Sequence, residues 1–252
     1  MLKLNNLRVV INHKTLLDID DFALCEGEVF SVLGRNGAGK STLFKSICGD
    51  INASGTRTFH QENMAHWPRS LLAKHLAVLP QSSQLNFPFT VREVVALGLI
   101  PLSVNRRQGQ QLVIEMLSLT DTLRFADRLY MSLSGGERQR VHFARVLVQL
   151  SQAEQVPLLL LDEPTSAQDL AQQHQLLQMT KELANDKGYT ILVIMHDLNL
   201  SLRYCDRAGL LDQGRFIDVG KPERVLTPDS VEQQWGYRPQ LIKTDSGLLA
   251  FI

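Results

Sequence analysis

The sequence predicts an α/β fold with an inserted helical subdomain, and three observations predict it. The continuous apolar run 157–161 has the length and composition of a strand that is buried on both faces of a sheet, and 190–195 is a second buried strand. A third strand, 28–33, runs into a glycine-rich loop and then a helix, and strands that alternate with helices are typical of α/β proteins. The stretch 91–150 has mostly helical periodicity instead, which indicates an inserted subdomain.

The other elements follow from local patterns. Two strands, 2–10 and 15–24, are predicted around an early turn. A short strand is predicted at 76–79, and a late hairpin at 208–219 that turns at 212–214. Helices are predicted where apolar residues recur with helical spacing: 41–48, 91–99, 109–117, 136–150, 171–185, 198–205 and 227–236. We therefore expect a single domain over 1–252. Its parts are a core of 1–84 and 151–220, a helical subdomain of about 85–150 and a C-terminal extension of 221–252.

Composition excludes some classes of protein. Of the 252 residues, 44% are apolar and 21% charged, as in an ordinary globular protein. Lys+Arg and Asp+Glu both number 26, so the formal net charge is zero and nothing indicates a nucleic-acid surface. No stretch approaches the ~18 unbroken apolar residues of a membrane span, so work at a membrane would require docking onto a spanning protein. The cysteines, Cys25, Cys48 and Cys205, lie far apart and predict buried free thiols in a reducing cytosol.

The glycine-rich loop fits the pattern G-x-x-x-x-G-K-[ST]. It consists of Gly34, Arg35, Asn36, Gly37, Ala38, Gly39, Lys40 and Ser41, and is followed by Thr42. Glycines let the backbone curl so that its N–H groups point at phosphate oxygens, and the helix start adds a positive dipole end. Lys40 can then reach the β- and γ-phosphates, while Ser41 can ligate Mg²⁺. The loop predicts a site for ATP and Mg²⁺, since a glycine-rich turn without a ligand would not need this strand-before, helix-after context.

Two carboxylates follow the apolar strand near residue 160. Asp162 stands where a strand-end carboxylate can hold Mg²⁺, and Glu163 where it can polarise an attacking water. Two acids after a strand are often only a solvated loop. Their combination with the glycine-rich loop is what favours the metal role for Asp162 and the base role for Glu163.

A Leu-Ser-Gly-Gly-Glu segment, 133–137, precedes a predicted helix. It can be a simple helix start in which Ser134 is the N-cap and Glu137 lies in the first turn. The run Ser134, Gly135, Gly136 is also a ready anion site, because the first amides of a helix point outward. The segment alone leaves both interpretations open.

Together these motifs resemble the ATP-binding cassette of ABC transporters, and the resemblance covers nearly the whole chain. The matched motifs are the P-loop at 34–41, the signature motif at 133–137, Walker B at 158–163, the Q-loop glutamine Gln81, the D-loop at 166–169 and the switch histidine His196. The resemblance implies a P-loop NTPase core with a mixed sheet flanked by helices, an N-terminal antiparallel β subdomain and an inserted helical signature subdomain.

The resemblance also implies the roles of individual residues. Glu163, His196 and Gln81 would be catalytic, and the Mg²⁺ ligands would be Ser41, Gln81 and Asp162. Two copies would form a head-to-tail dimer that sandwiches ATP between the P-loop of one copy and the signature motif of the other. The residues offered to the partner's ATP would be Ser134, Gly135, Gly136 and Glu137, and the D-loop would contribute Asp169.

Two positions depart from the family pattern. An aromatic residue near the N-terminus often stacks on adenine in this family, but the best-matched position here is Ile11, with His13 nearby. We therefore expect apolar contact with the base rather than stacking, so that the phosphates carry most of the nucleotide affinity. The D-loop has Gln168 where the family usually has leucine, which places a polar side chain at a subunit interface.

The stretch 80–98 contains Phe-Pro-Phe-Thr-Val at 87–91 and resembles the hemin importer ATPases of Gram-negative bacteria. Their close relatives serve iron siderophores and cobalamin, which is the alternative for the solute. The resemblance implies a peripheral protein on the cytoplasmic face of the inner membrane, bound to a transmembrane permease and served indirectly by a periplasmic solute-binding protein. The apolar stretch 85–89 is the candidate for docking the permease; otherwise Phe87 and Phe89 only pack the loop.

Two other classes of function are less favoured. Non-transport ABC ATPases that act on ribosomes usually carry two cassettes in one chain, and this chain has one P-loop. Those that act on DNA insert a long coiled coil, but 40–162 contains no sustained heptads. A nucleotide-binding module without hydrolysis is disfavoured because Glu163 and His196 are both present.

Overall fold

The computed structural model describes residues 1–81, 85, 87–166, 168–244, 247 and 249–252. The chain divides into two compact units, one formed by 1–67 with 180–252 and the other by 68–179. The sequence predicts a division by function, with a helical subdomain of about 85–150, and these compact units do not test it. That division stays a prediction. None of the helices in the described ranges combines the length and apolar character needed to cross a membrane.

Twelve strands and nine α-helices are present in the described ranges. The strands are β1 Leu2–Ile11, β2 Lys14–Leu24, β3 Val29–Leu33, β4 Ser54–Phe59, β5 Glu62–Asn63, β6 Leu76–Leu79, β7 Leu158–Asp162, β8 Thr190–Ile194, β9 Arg207–Asp212, β10 Arg215–Gly220, β11 Leu241–Lys243 and β12 Leu249–Phe251. The helices are α1 Lys40–Cys48, α2 Arg69–His75, α3 Val91–Ala96, α4 Arg106–Leu119, α5 Gly135–Leu150, α6 Leu170–Lys187, α7 Leu198–Tyr204, α8 Pro222–Val225 and α9 Pro228–Trp235.

The first unit contains an antiparallel sheet and a set of mostly parallel strands. The antiparallel sheet has the order β2-β1-β4-β5, while β3 pairs in parallel with both β8 and β9, and β10 closes onto β9 as an antiparallel hairpin. Every residue of β3 and β8 is buried, which explains why both strands are apolar except at Ser31 and Thr190. The rings of Phe22, Phe30 and Phe216 lie 4.8–6.2 Å apart and pack β2, β3 and β10 together.

The second unit combines two parallel strands with helices. β6 pairs with β7 in parallel, from Leu76 opposite Leu158 to Leu79 opposite Leu161. The long helix α5 buries one face against α3 and α4, with Val141, Phe143 and Leu147 almost fully inaccessible. Its neighbours α3 and α4 each begin with a capping box, so their starts are fixed by local side chains.

Most elements lie where the sequence predicts them, but some short ones were missed. The strand β4 carries only one fully buried residue, Phe59, so it lacks the alternation that reveals a strand. The last fifteen residues, which are uninformative as a pattern, contain the hairpin β11–β12, tethered where Asn199 exchanges two hydrogen bonds with the backbone of Phe251. The three thiols are free as expected, but Cys25 is exposed, so its predicted burial is wrong. Burial raises the pKa of both Cys48 and Cys205 to about 12.

Candidate functional site

The glycine-rich loop lies between β3 and α1 and requires glycine at two of its positions. Gly34 has φ +154°, and a Cβ there would lie 2.2 Å from the carbonyl oxygen of Leu211. Gly39 has φ +108°, and a Cβ there would lie 2.9 Å from the carbonyl oxygen of Leu16. Both positions combine a backbone conformation that favours glycine with a neighbour too close for any side chain. The loop is therefore pressed against β2 and β9, which fixes its shape.

Lys40 is the first residue of α1 and is only 6% exposed. Its ammonium donates hydrogen bonds to the carbonyl oxygens of Gly34, at 2.7 Å, and Arg35, at 3.1 Å. A buried ammonium is costly unless its donors are satisfied, and here the loop's own backbone satisfies them. The loop's carbonyl oxygens thus hold the ammonium of Lys40 within the loop, where its positive charge can attract an anionic ligand.

The N-terminus of α1 is of the open kind. Its N-cap is Gly39, which has no side chain to bond the first amides. Ser41 is exposed and Thr42 half-buried in that first turn, while Arg35, Asn36 and Gly37 are exposed and Ala38 is buried. Uncapped amides, a dipole end and a lysine at one helix start form an anion site of the phosphate-binding type.

His196 lies at the same edge of the parallel strands as the glycine-rich loop. Val32 pairs with Ile194, and the amide of Met195 donates to the carbonyl oxygen of Val32 at 3.2 Å. Since β3 and β8 are parallel, the residues that follow them emerge together at the carboxyl edge, where ligands of α/β sheets bind. His196 is exposed there.

The neighbouring Asp197 is a residue that sequence reasoning missed. Its carboxylate caps α7 by accepting a hydrogen bond from the amide of Leu200 at 3.0 Å. An aspartate directly before a helix was the available signal.

Ile11 ends β1 in a tight hairpin with β2. Asn12 and His13 both have positive φ, +49° and +63°, as a two-residue type I′ turn requires. Ile11 pairs with Lys14 and its side chain is 46% exposed. The hairpin therefore presents an accessible aliphatic side chain, Ile11, where many members of the resembled family have an aromatic one.

In the second unit, Gln81 and Glu163 are brought into direct contact. β6 and β7 are parallel neighbours, so the residues that follow them lie at one edge although they are 82 positions apart. The side-chain nitrogen Nε2 of Gln81 donates to Oε2 of Glu163 at 2.5 Å. Asp162, the last residue of β7, is half-buried beside them in the chain.

Glu163 has an unusual backbone. Its φ is +47°, in the left-handed region that a residue with a Cβ seldom adopts. The conformation is held by Ser166, whose amide and hydroxyl both donate to the carbonyl oxygen of Glu163, at 3.2 and 3.0 Å. Non-glycine residues in this region concentrate at functional sites, where the surrounding structure holds them in place.

The signature segment is a complete capping box. The hydroxyl of Ser134 accepts from the amide of Glu137 at 3.3 Å and donates to Oε2 of that carboxylate at 2.8 Å, while the amide of Ser134 donates to the same oxygen at 2.8 Å. These bonds hold the pKa of Glu137 below its usual range. Ser134 and Gly135 are exposed and Gly136 is buried. The segment is therefore the helix start that one interpretation expects. Because Ser134 and Gly135 are exposed, an anion can also reach it.

The D-loop leads into α6. Oδ1 of Asp169 accepts from the amide of Gln172 at 2.9 Å, which caps the helix. Gln168 is 9% exposed, and within the described part of the chain neither its Nε2 nor its Oε1 has a hydrogen-bond partner. Ala167 of this loop, like Asn86 in the candidate docking stretch, lies outside the described residues.

Comparison with known proteins adds a family to this geometry. The sequence pattern of the ABC transporter family, ABC_tran, matches residues 17–166. The hemin import ATP-binding protein HmuV of Shewanella denitrificans is 47% identical, with 100% of both chains covered. The protein of the same name from Vibrio cholerae is 46% identical across 92% of this chain and 90% of its own length.

Solved structures agree on the fold. The protein cbiO1 from Clostridium perfringens, part of the ABC transporter complex cbiONQ, matches with a TM-score of 0.79 and 27% identity over 93% of this chain and 95% of that one. The ATP-binding cassette MJ0796, a dimer bound to ADP and Pi, matches with a TM-score of 0.75 and 26% identity over 88% of this chain and 99% of that one. The fold class predicted from the sequence is confirmed.

Proposed function

This chain belongs to the ABC transporter family, and on that premise we propose that it is the ATP-hydrolysing subunit of a hemin importer. The observation that carries the proposal is the 47% identity, over the full length of both chains, to a hemin import ATP-binding protein. As a member of this family the chain binds ATP and hydrolyses it. Its own residues indicate how.

The phosphates of ATP bind the P-loop in this proposal. The amides of 34–42 and the ammonium of Lys40 surround them with positive charge, since α1 starts without a side-chain cap. The exposed Ile11 offers the base only apolar contact. Nucleotide affinity should therefore come mainly from the phosphates.

Mg²⁺ would be held by Ser41, Gln81 and Asp162. Their hydroxyl, amide and carboxylate oxygens are the hard ligands that this cation takes. Gln81 fits the role because its nitrogen faces Glu163, so its oxygen is the atom it can offer to a cation. When bound, Mg²⁺ neutralises charge on the phosphate oxygens. Among the described residues no three His, Cys, Asp or Glu side chains gather as metal ligands, and this set does not depend on such a cluster.

Glu163 is the general base in this proposal. The hydrogen bond from Gln81 to Oε2 fixes the orientation of the carboxylate, which takes the proton of an attacking water. Gln81 therefore orients the carboxylate in addition to offering its oxygen to Mg²⁺. His196, exposed at the carboxyl edge beside the P-loop, donates a hydrogen bond to the γ-phosphate.

Two copies of the chain act together. The start of α5, Ser134 to Glu137, binds the ATP held by the P-loop of the second copy. Asp169, just before α6, lies near this interface. The dimeric state of the cassette MJ0796 supports this arrangement. Each subunit then provides half of each of two sites, and hydrolysis requires both copies.

The subunit works at the cytoplasmic face of the inner membrane, bound to a transmembrane permease that receives hemin from a periplasmic binding protein. Phe87 is 66% exposed, and its ring lies 6.0 Å from that of Phe89. Phe89 is half-buried, so Phe87 is the exposed member of the pair, and an exposed aromatic side chain is a typical anchor for a protein partner. Replacing both with serine should reduce co-purification of the permease, whereas undiminished co-purification would contradict the docking role.

The test of the proposed function is ATP turnover in vesicles that contain the complete transporter. Hemin supplied with its binding protein should stimulate hydrolysis and appear inside the vesicles. A ferric siderophore and cobalamin are the matched competing solutes. Stimulation by either of these, and not by hemin, would assign the subunit to that importer instead.

A further inference from the structure

The docking stretch and the signature motif are joined through the backbone of one short segment. Residues 126–130 pair with residues 89–92 at the start of α3: Thr90 forms an isolated antiparallel bridge with Leu129. The amide of Tyr130 donates to the carbonyl oxygen of Phe89 at 2.8 Å, and the amide of Val91 donates to that of Arg128 at 2.9 Å. A displacement of Phe89 is therefore applied directly to Tyr130.

Tyr130 is in turn fastened to α5, the helix that begins at the signature. Its side chain is 1% exposed, and its hydroxyl lies 2.8 Å from Nε2 of His142. The guanidinium of Arg138 lies 5.5 Å from the centre of the Tyr130 ring and donates to the carbonyl oxygen of Met131 at 2.6 Å. Tyr130 is thus held by two residues of α5, four positions before Ser134.

His142 makes this attachment specific. It is buried on α5, and burial together with the nearby Arg145 lowers its pKa to about 4, so it is neutral at physiological pH. Within the described residues its Nδ1 has no hydrogen-bond partner, and its Nε2 is the atom that meets Tyr130. A buried polar group retained with a single side-chain tether indicates a geometric requirement, because an apolar residue would fill the space at lower cost.

We propose that Tyr130 is a positioning residue that carries movement of the permease-docking stretch to Ser134, and so sets when the signature can bind the partner's ATP. The inference rests on the proposed function in one respect, the docking of a permease at Phe87 and Phe89. Packing can transmit such movement because close-packed side chains shift as rigid bodies rather than deform. Catalytic atoms are not touched by Tyr130, so its role is separable from hydrolysis itself.

The test uses the complete transporter in vesicles, with ATP turnover measured with and without hemin and its binding protein. Tyr130→Leu should lower the stimulation ratio at least about fivefold, the lower end of ordinary coupling between sites. Tyr130→Phe, which removes only the hydroxyl, should have a smaller effect. Tyr204→Leu is the matched control, since Tyr204 is also buried, with a guanidinium 5.6 Å from its ring, but lies on α7.

The outcomes separate the two proposals. If the wild-type transporter shows no stimulation by hemin, the proposed function fails. If the wild-type transporter is stimulated and Tyr130→Leu keeps its stimulation ratio, Tyr130 has only a structural role. The same conclusion follows if Tyr130→Leu and Tyr204→Leu both lower ATP turnover with and without hemin by the same factor.

A second measurement needs neither permease nor solute. In the purified subunit, Tyr130→Phe should accelerate hydrogen exchange together at the amides of Val91 and Glu137, which lie at the two ends of the connection. Acceleration at both, with Tyr204→Phe leaving both unchanged, supports the connection. Acceleration at Val91 with wild-type exchange at Glu137 would overturn it.

Discussion

The P-loop and the signature motif both begin a helix, but the two helix starts are built in opposite ways. α1 begins at Gly39, which offers its amides no side-chain cap, and Lys40 adds a buried positive charge. α5 begins at Ser134, which is reciprocally bonded to Glu137, so its first turn is capped and carries a carboxylate. The first start therefore leaves its amides without a side-chain cap and suits an anion, whereas the amides of the second are bonded by its own side chains.

This difference suggests a division of labour. The P-loop should bind ATP in a single subunit, because its amides and its lysine act there without help. The signature has an anionic first turn and should contribute only when a second subunit presents an ATP already held elsewhere. Variants of the two starts should therefore fail at different steps.

The largest expected effect belongs to neither helix start but to Glu163, the proposed general base. Glu163→Gln should lower ATP turnover by about 10²–10⁴-fold, since the water loses its proton acceptor. The new amide can still accept from Gln81, so the local geometry is kept, and the ATP-bound dimer should accumulate in size-exclusion chromatography. Glu115→Gln, at an exposed glutamate on α4, is the control. Turnover of Glu163→Gln close to wild type would remove Glu163 from the base role.

The next largest effect tests the P-loop. Lys40→Ala should weaken ATP binding to the single subunit by about ten- to a hundredfold, which corresponds to the loss of hydrogen bonds to a charged group. Equilibrium titration with ATP measures it. Lys45→Ala, at an exposed position of the same helix, should bind like wild type. Equal affinities for all three proteins would contradict the assignment.

The signature variant should separate binding from turnover. Ser134→Ala should leave ATP affinity of the single subunit unchanged but reduce turnover of the transporter, because the partner's ATP loses a contact. Loss of the N-cap should also cost about 1 kcal/mol of stability. Asn105→Ala, which removes the matching cap of α4, controls for that cost and should keep turnover. Weaker ATP binding in isolated Ser134→Ala would erase the proposed contrast with the P-loop.

The same variant carries a pH dependence. Hydrogen bonds from Ser134 lower the pKa of Glu137 in the folded state. They therefore stabilise the folded protein fully at pH values above the pKa of an ordinary glutamate. This stabilisation is lost as the pH falls through the lowered pKa. The difference in Tm between wild type and Ser134→Ala should therefore narrow on acidification. A difference that widens at low pH would mean that the bonds do not favour the carboxylate.

The last expected effect concerns the D-loop and is on stability alone. Gln168→Leu should stabilise the isolated subunit by about 1–3 kcal/mol, because a buried amide without partners among the described residues is replaced by an apolar side chain. Gln173→Leu is the matched control and should destabilise, since Nε2 of Gln173 donates to the carbonyl oxygens of Thr165 and Gln168. A lower Tm for Gln168→Leu would show that the amide is satisfied in solution.

The same contrast explains what could be predicted from the sequence. The P-loop is determined by eight consecutive residues, so its geometry follows from local chemistry. The contact of Gln81 with Glu163 joins positions 82 residues apart and depends on the register of β6 with β7, which no local pattern contains. The same holds for the burial of Gln168 and for the pairing of Tyr130 with His142, which only packing decides.

In the proposed function each subunit provides only half of each ATP site, so ATP turnover should depend on subunit concentration. With the purified subunit at saturating ATP, we predict that activity per subunit rises with concentration and then levels off as dimers form. The plateau should be lost in Ser134→Ala but kept in Asn105→Ala. Activity per subunit that stays constant down to the lowest concentrations, where the chain is monomeric, would mean that one subunit contains a complete site.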